Sequence, residues 1–250
     1  MSSWVESTSV SFECRHSSDC GDDALRVLES LERTRERLDR WFPRTVDQLT
    51  VVLHDSVASL TLTNPLLPLI WAATAPSARR YVTGWVGRRE LHVLAPGVLR
   101  ARSSGAPGSL EMLALAPASL YARRVIAECN REIQHSRIRG RGAPELRWAW
   151  LLEGAARWFS GESAHASAAL RVRMREPRRP SFPPSVRDAP LLGGTVIDLL
   201  VALRGEIAAT QLAARLHPQG PRAALAKAFA GRSLDAVEFD WRAHLQRRTG

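Results

Sequence analysis

The hydrophobic period of this chain changes once, near its middle, and does not change back. Up to about residue 108, apolar and polar residues alternate in short runs broken by Gly and Pro; from Ser109 onwards apolar residues recur every three or four positions. A period of 2 belongs to half-buried strands and a period of 3.6 to helices packed on a core. The chain is therefore expected to be α+β, with an N-terminal α/β lobe over 1–108 and a helical lobe over 109–250. Its 250 residues suffice for a sizeable core.

Within the first lobe, Ser9 to Arg15 alternates and reads as a strand, and Asp22 or Asp23 caps a helix reaching to about Trp41. Gln48 to His54 is the clearest strand, followed by a short helix capped by Asp55 or Ser56. Asn64 to Ser77, with three prolines among Leu66, Leu67, Leu69 and Ile70, reads as an apolar loop or short surface helix. Tyr81–Val86 and Glu90–Leu94 read as a strand pair, and Arg102 to Gly108 as a linker. Helices are then expected over 118–138, 146–160, 163–175, 195–203, 206–216, 222–230 and 234–246, with a proline-rich loop from Pro177 to Pro190.

A formal net charge of +10 raises nucleic acid as a partner. Lys227 is the single lysine, however, and the arginines are spread without a block or interleaved aromatics, so nucleic acid is not expected. Cys14, Cys20 and Cys129 are odd in number with no C-x-x-C pair, which argues against a disulfide scaffold. The start has no basic segment followed by an apolar one, and the most apolar run, Leu66 to Ala73, is short and holds Pro68. A cytoplasmic protein without a membrane span is the expectation.

The chemistry concentrates between Val125 and Gly161. On a continuous helix Glu128, Arg131, Glu132 and His135 share one face, at i, i+3, i+4 and i+7. A turn bearing Gly140, Gly142 and Pro144 follows, then Trp150-Leu-Leu-Glu153-Gly-Ala-Ala156, where a lone carboxylate stands among apolar residues. Burying that carboxylate is costly unless a cation meets it.

The two segments resemble the gluzincin zinc peptidases, in particular the peptidase MA-like group. There H-E-x-x-H supplies two ligands and a general base, and W-x-x-E-G-x-A on the next helix supplies a glutamate ligand. The second segment matches at Glu153. The first reads Arg131-Glu132-Ile133-Gln134-His135, with arginine where the first ligand histidine belongs. The resemblance implies a thermolysin-like catalytic-domain architecture. It implies His135 and Glu153 as the remaining metal positions, Glu132 as a vestigial base, and a cleft bordered by the strand pair at Gly84, Leu91 and Val93. The closing stretch Ala228 to Arg242 is similar to that group's helical ending.

A guanidinium donates hydrogen bonds only, stays protonated and cannot coordinate a cation. The favoured reading is a catalytically inactive relative in which Arg131 occupies the metal's place against Glu153 and the cleft holds a peptide or protein ligand, with no cofactor. Two others stand beside it. One is an active zinc peptidase using His135, Glu153 and an unidentified further ligand; the other is an unrelated helical scaffold with a structural ion-pair network.

Overall fold

A computed structural model of the chain describes residues 4–130 and 146–250. It is an α+β protein built on a mixed five-stranded sheet, β1 Trp4–Thr8, β2 Phe12–Ser17, β3 Leu49–His54, β4 Gly84–Val86 and β5 Glu90–Leu94. The strand order is β1-β2-β3-β5-β4. The central pairs β2/β3 and β3/β5 are parallel, whereas β1 and β4 lie antiparallel on the two edges. Parallel neighbours need a helical crossover, and α1 (Gly21–Asp39) supplies it between β2 and β3.

The pleat sorts the sheet into two faces. Register places Cys14, Val51, Leu91 and Val86 in one row and Leu53, Val93 and Gly84 in the next. That face carries the main core and is covered by α1 and by α6 (Ala116–Cys129), with Phe12 and Tyr121 meeting edge to face at 5.1 Å. Val52, His92 and Trp85 form a row on the other face, under the short helix α2 (Val57–Thr63). Ser56 caps α2 by accepting from Ser59 N, as expected from the sequence.

Three helices flank these strands: α3 (Leu67–Ala73), α4 (Pro96–Ala101) and α5 (Ser109–Ala114). The C-terminal half adds α7 (Ala149–Phe159), α8 (Ser167–Met174), α9 (Ala189–Arg204), α10 (Glu206–Ala214), α11 (Pro221–Ala228) and α12 (Leu234–Thr249). One hydrophobic core runs through both halves, and Phe42 packs on Phe159 across the expected boundary at 4.9 Å. The expected linker 102–108 is anchored: Arg102 Nε donates to Arg80 O, and Gly108, at φ 81°, lies against His165 O. Trp241, in the closing segment, is fully buried and donates to Thr195 Oγ1 at 2.8 Å.

All three cysteines are free thiols, and burial pushes Cys14 up to about 12. Among the described residues no helix is long and apolar enough to cross a membrane.

Several sequence expectations need correction. Asp22 and Asp23 do not cap α1 but lie within its first turn, and the N-cap position is Cys20. The first strand starts at Phe12 and not Ser9, and the unforeseen β1 pairs with it from Trp4 onwards. The helix expected over 118–138 ends at Cys129. Asn130 leaves helical geometry at φ −117°, ψ 81°, and its side chain supplies what a further turn would have supplied. Its Nδ2 donates to Ile126 O at 2.7 Å and to Ala213 O at 2.8 Å, while Oδ1 accepts from Leu216 N at 2.8 Å. Glu128 is thus on the last turn of α6, and the face expected to join it with Arg131, Glu132 and His135 lies outside the described residues.

Candidate functional site

Arg131, Glu132 and His135 lie outside the described residues. Glu153 is described, and it sits midway along α7, opposite α6. Its neighbours explain how a carboxylate is tolerated there: Arg123 Nη1 from α6 lies 3.2 Å from Oε1, and Arg157 Nε, one turn along α7, lies 4.0 Å from Oε2. The cation that the sequence demanded is present, supplied at least in part by Arg123 and Arg157.

Arg157 anchors a second, deeper pair. Its Nη1 is hydrogen bonded to Glu162 Oε1, and its Nη2 donates to Tyr81 O at 2.8 Å. Ser119 Oγ donates to the other Glu162 oxygen and lies 2.7 Å from Ser160 Oγ. Arg157 is 7% and Glu162 1% exposed, so this pair is held away from water. Burial pulls the Arg157 guanidinium below its ordinary value, and Glu153 opposes that pull. Among the described residues Arg157 Nε has no hydrogen-bond partner, because Glu153 stops short of bonding distance.

These residues line a cavity of about 190 Å³ beneath the edge strand β4. Ser119 and Arg123 enter it from one face of α6, at i and i+4; Leu120 enters beside them, Glu153 from α7 and Gly84 from β4. Gly84 is required there, since a Cβ would stand 2.2 Å from His92 O and 2.8 Å from Leu120 Cδ1. Helix α6 therefore presses directly on the edge strand. Leu91 and Val93, expected to border the cleft, are fully buried and do not line it. They belong to β5, which is flanked by β3 and β4, so only the outer strand reaches the cavity.

Gly154 lets α7 and α9 approach closely. A Cβ there would meet Gly193 C on α9 at 2.2 Å, and one at Gly193 would meet Trp150 O at 2.4 Å. Trp148, Trp150 and Phe159 are core residues, and the half-buried Trp158 packs against that core. Three histidines of the helical half stay out of Glu153's cavity: His217 lines another one, His244 Nε2 is bonded to Asp198 Oδ2 at 2.9 Å, and His165 is exposed in the turn after α7.

The described donor set is poorly matched to zinc. It offers two carboxylates, Glu153 and Glu162, each met by a guanidinium, with two serine hydroxyls already engaged by Glu162 and each other. Among the described residues no group of three or more His, Cys, Asp or Glu side chains is placed to hold a metal ion. Arg157 was visible in sequence as the residue four after Glu153. Arg123, Ser119 and Glu162 were missed, because their relation to Glu153 is set by how α6 and the turn after α7 pack. The only advance signal was the i, i+4 spacing of Ser119 and Arg123.

The chain matches no family model, no curated protein and no solved structure.

Proposed function

We infer that this is a gluzincin-like peptidase fold of thermolysin-like architecture in which arginine has replaced the catalytic metal, and that it binds extended peptides without cleaving them. The observation that carries the reading is the Arg123–Glu153 pair. Glu153, at the position of the third metal ligand in the family motif, meets a guanidinium from the facing helix inside a cavity under an edge strand. The pentapeptide that resembles the metal motif, Arg131 to His135, lies outside the described residues, and the guanidinium that meets Glu153 among the described ones comes from Arg123.

Peptide binding follows from the same geometry. Strand β4 pairs with β5 and forms the sheet's edge on the cavity side, the arrangement used by proteins that capture a peptide as an added strand. The adjoining cavity is lined mainly by apolar residues, including Leu67, Ile70 and Ala116, and has the size of a single side chain. The ion pair at its end holds α6 and α7 together as a metal otherwise would.

The test is metal analysis of protein purified without chelator, with a peptidase assay and selection from a random heptapeptide library beside it. The reading expects no stoichiometric metal, no metal-dependent turnover, and selected peptides that slow amide exchange in β4. Stoichiometric zinc or metal-dependent cleavage selects the active-peptidase reading. Selected peptides that protect some other region remove the cleft from the account.

A further inference from the structure

A second cavity, of about 740 Å³, lies between α10 and α11, away from the cleft, and its chemistry is one-sided. Its polar rim is Arg204, Arg215, Lys227, His217 and Gln211, and among the described residues no acidic one lines it. His217 Nδ1 accepts from Gln219 N at 3.3 Å, which leaves the hydrogen on Nε2. Every titratable group on the rim is then a donor.

The three cations differ from the arginines that the fold uses in ion pairs. Arg35, Arg123, Arg157, Arg173, Arg242 and Arg248 each meet a carboxylate. Arg204, Arg215 and Lys227 pair with no described carboxylate. Like charges gathered around a concavity repel one another and lower the stability of the fold, and an anion bound among them would relieve that. The floor is apolar, made by Leu212, Leu216 and Ala224, which are all buried. The wall is also fixed: Asn130, at the end of α6, clamps Ala213 O and Leu216 N on either side of Arg215. A preformed site loses less free energy to ordering when a ligand binds.

We propose that this cavity is a binding site for a small amphipathic anion, a phosphate or carboxylate head held by Arg204, Arg215 and Lys227 with an apolar tail on Leu212, Leu216 and Ala224. The volume is that of an ordinary small-ligand pocket. An acceptor-only head satisfies the rim, and a chain of several carbons covers the floor. A purely inorganic anion would leave the floor wet, and a neutral alcohol would leave the cations without a counter-charge.

The probe is n-octyl phosphate, titrated calorimetrically into the whole protein below its micelle concentration, with inorganic phosphate and n-octanol as comparisons. One-to-one binding is expected, at least about tenfold tighter than for either comparison, because both the charge-assisted bonds and the apolar burial contribute. Arg215→Gln and Lys227→Gln should each weaken it about tenfold. Arg222→Gln, an exposed cation on α11 outside the lining, should leave it unchanged. Absence of saturable binding overturns the proposal, as do equal affinity for inorganic phosphate or equal loss in Arg222→Gln. A readout on the unaltered chain guards against misfolded variants. Lys227 is the only lysine, so its acetylation rate reports the site directly. Octyl phosphate should slow that rate; an unchanged rate at saturating ligand overturns the proposal.

Discussion

Replacing Arg157 by methionine tests the physics of the cleft most severely. The substitution keeps the length and apolar bulk of the side chain but strips Glu162 of its cation, and Glu162 is 1% exposed. It also leaves Tyr81 O without its donor. Breaking a buried pair from one side costs about 3–5 kcal/mol, because the remaining charge stays desolvated without compensation. Much of that cost belongs to the orphaned carboxylate, so Arg157→Met/Glu162→Met should be more stable than Arg157→Met by about 2 kcal/mol. Urea unfolding followed by far-ultraviolet circular dichroism near neutral pH measures both differences. In acid the single variant's deficit should shrink, since a protonated carboxyl can be buried uncharged. A single-variant loss under about 1 kcal/mol, or a double variant as unstable as the sum of its singles, would refute the claim that this pair is sealed from water.

Two further expectations follow from other parts of the fold. His54 Nε2 and His92 Nδ1 lie 3.0 Å apart under α2, and Ser59 Oγ lies 2.9 Å from His54 Nδ1. Burial and the neighbouring His92 pull His54 down to about 4 from 6.5, against the opposing charge of Asp55, and burial lowers His92 despite Glu90. The unfolded chain therefore takes up these protons first: stability is complete above about pH 6.5 and falls towards pH 4, by about 3 kcal/mol from His54 alone. Urea midpoints across that window should fall in the wild type and flatten in His54→Gln; a flat wild-type profile contradicts the buried pair. Gly154→Ala should destabilise by about 3 kcal/mol and lower the calorimetric Tm by about 6–12 °C, because its Cβ meets backbone of α9 at 2.2 Å. A Tm within about 2 °C of wild type would mean the α7–α9 crossing is looser than described.

Much of the fold could be read from local pattern. The strand Leu49–His54, the extent of α1, the hairpin of β4 and β5 and the closing helix α12 all follow from periods and punctuation within their own segments. The misses share a cause, which is information from far along the chain. Asn130 ends α6 with bonds to residues 83 and 86 positions away, so no local signal separated it from a helix interior. Helix α9 begins at Ala189 and not Thr195, because Pro190 in a first turn is compatible with a helix that composition alone reads as loop. The site divides in the same way. That Glu153 needs a cation was legible from its apolar surroundings. Which described arginines supply it depended on the rotation of α6 against α7, which brings Arg123 across from a point thirty positions earlier.

The central proposal is that Arg123, meeting Glu153 between α6 and α7, does the work of a metal ion in joining the two helices. Its most direct measurement is the zinc content of Ser119→His/Arg123→His, purified with its fold checked by circular dichroism and compared with wild type. Histidines at i and i+4 on α6, with Glu153 released from its guanidinium, should bind close to one zinc per chain, and Glu153→Gln in that background should abolish it. A folded double variant that takes up no more zinc than wild type would contradict the account.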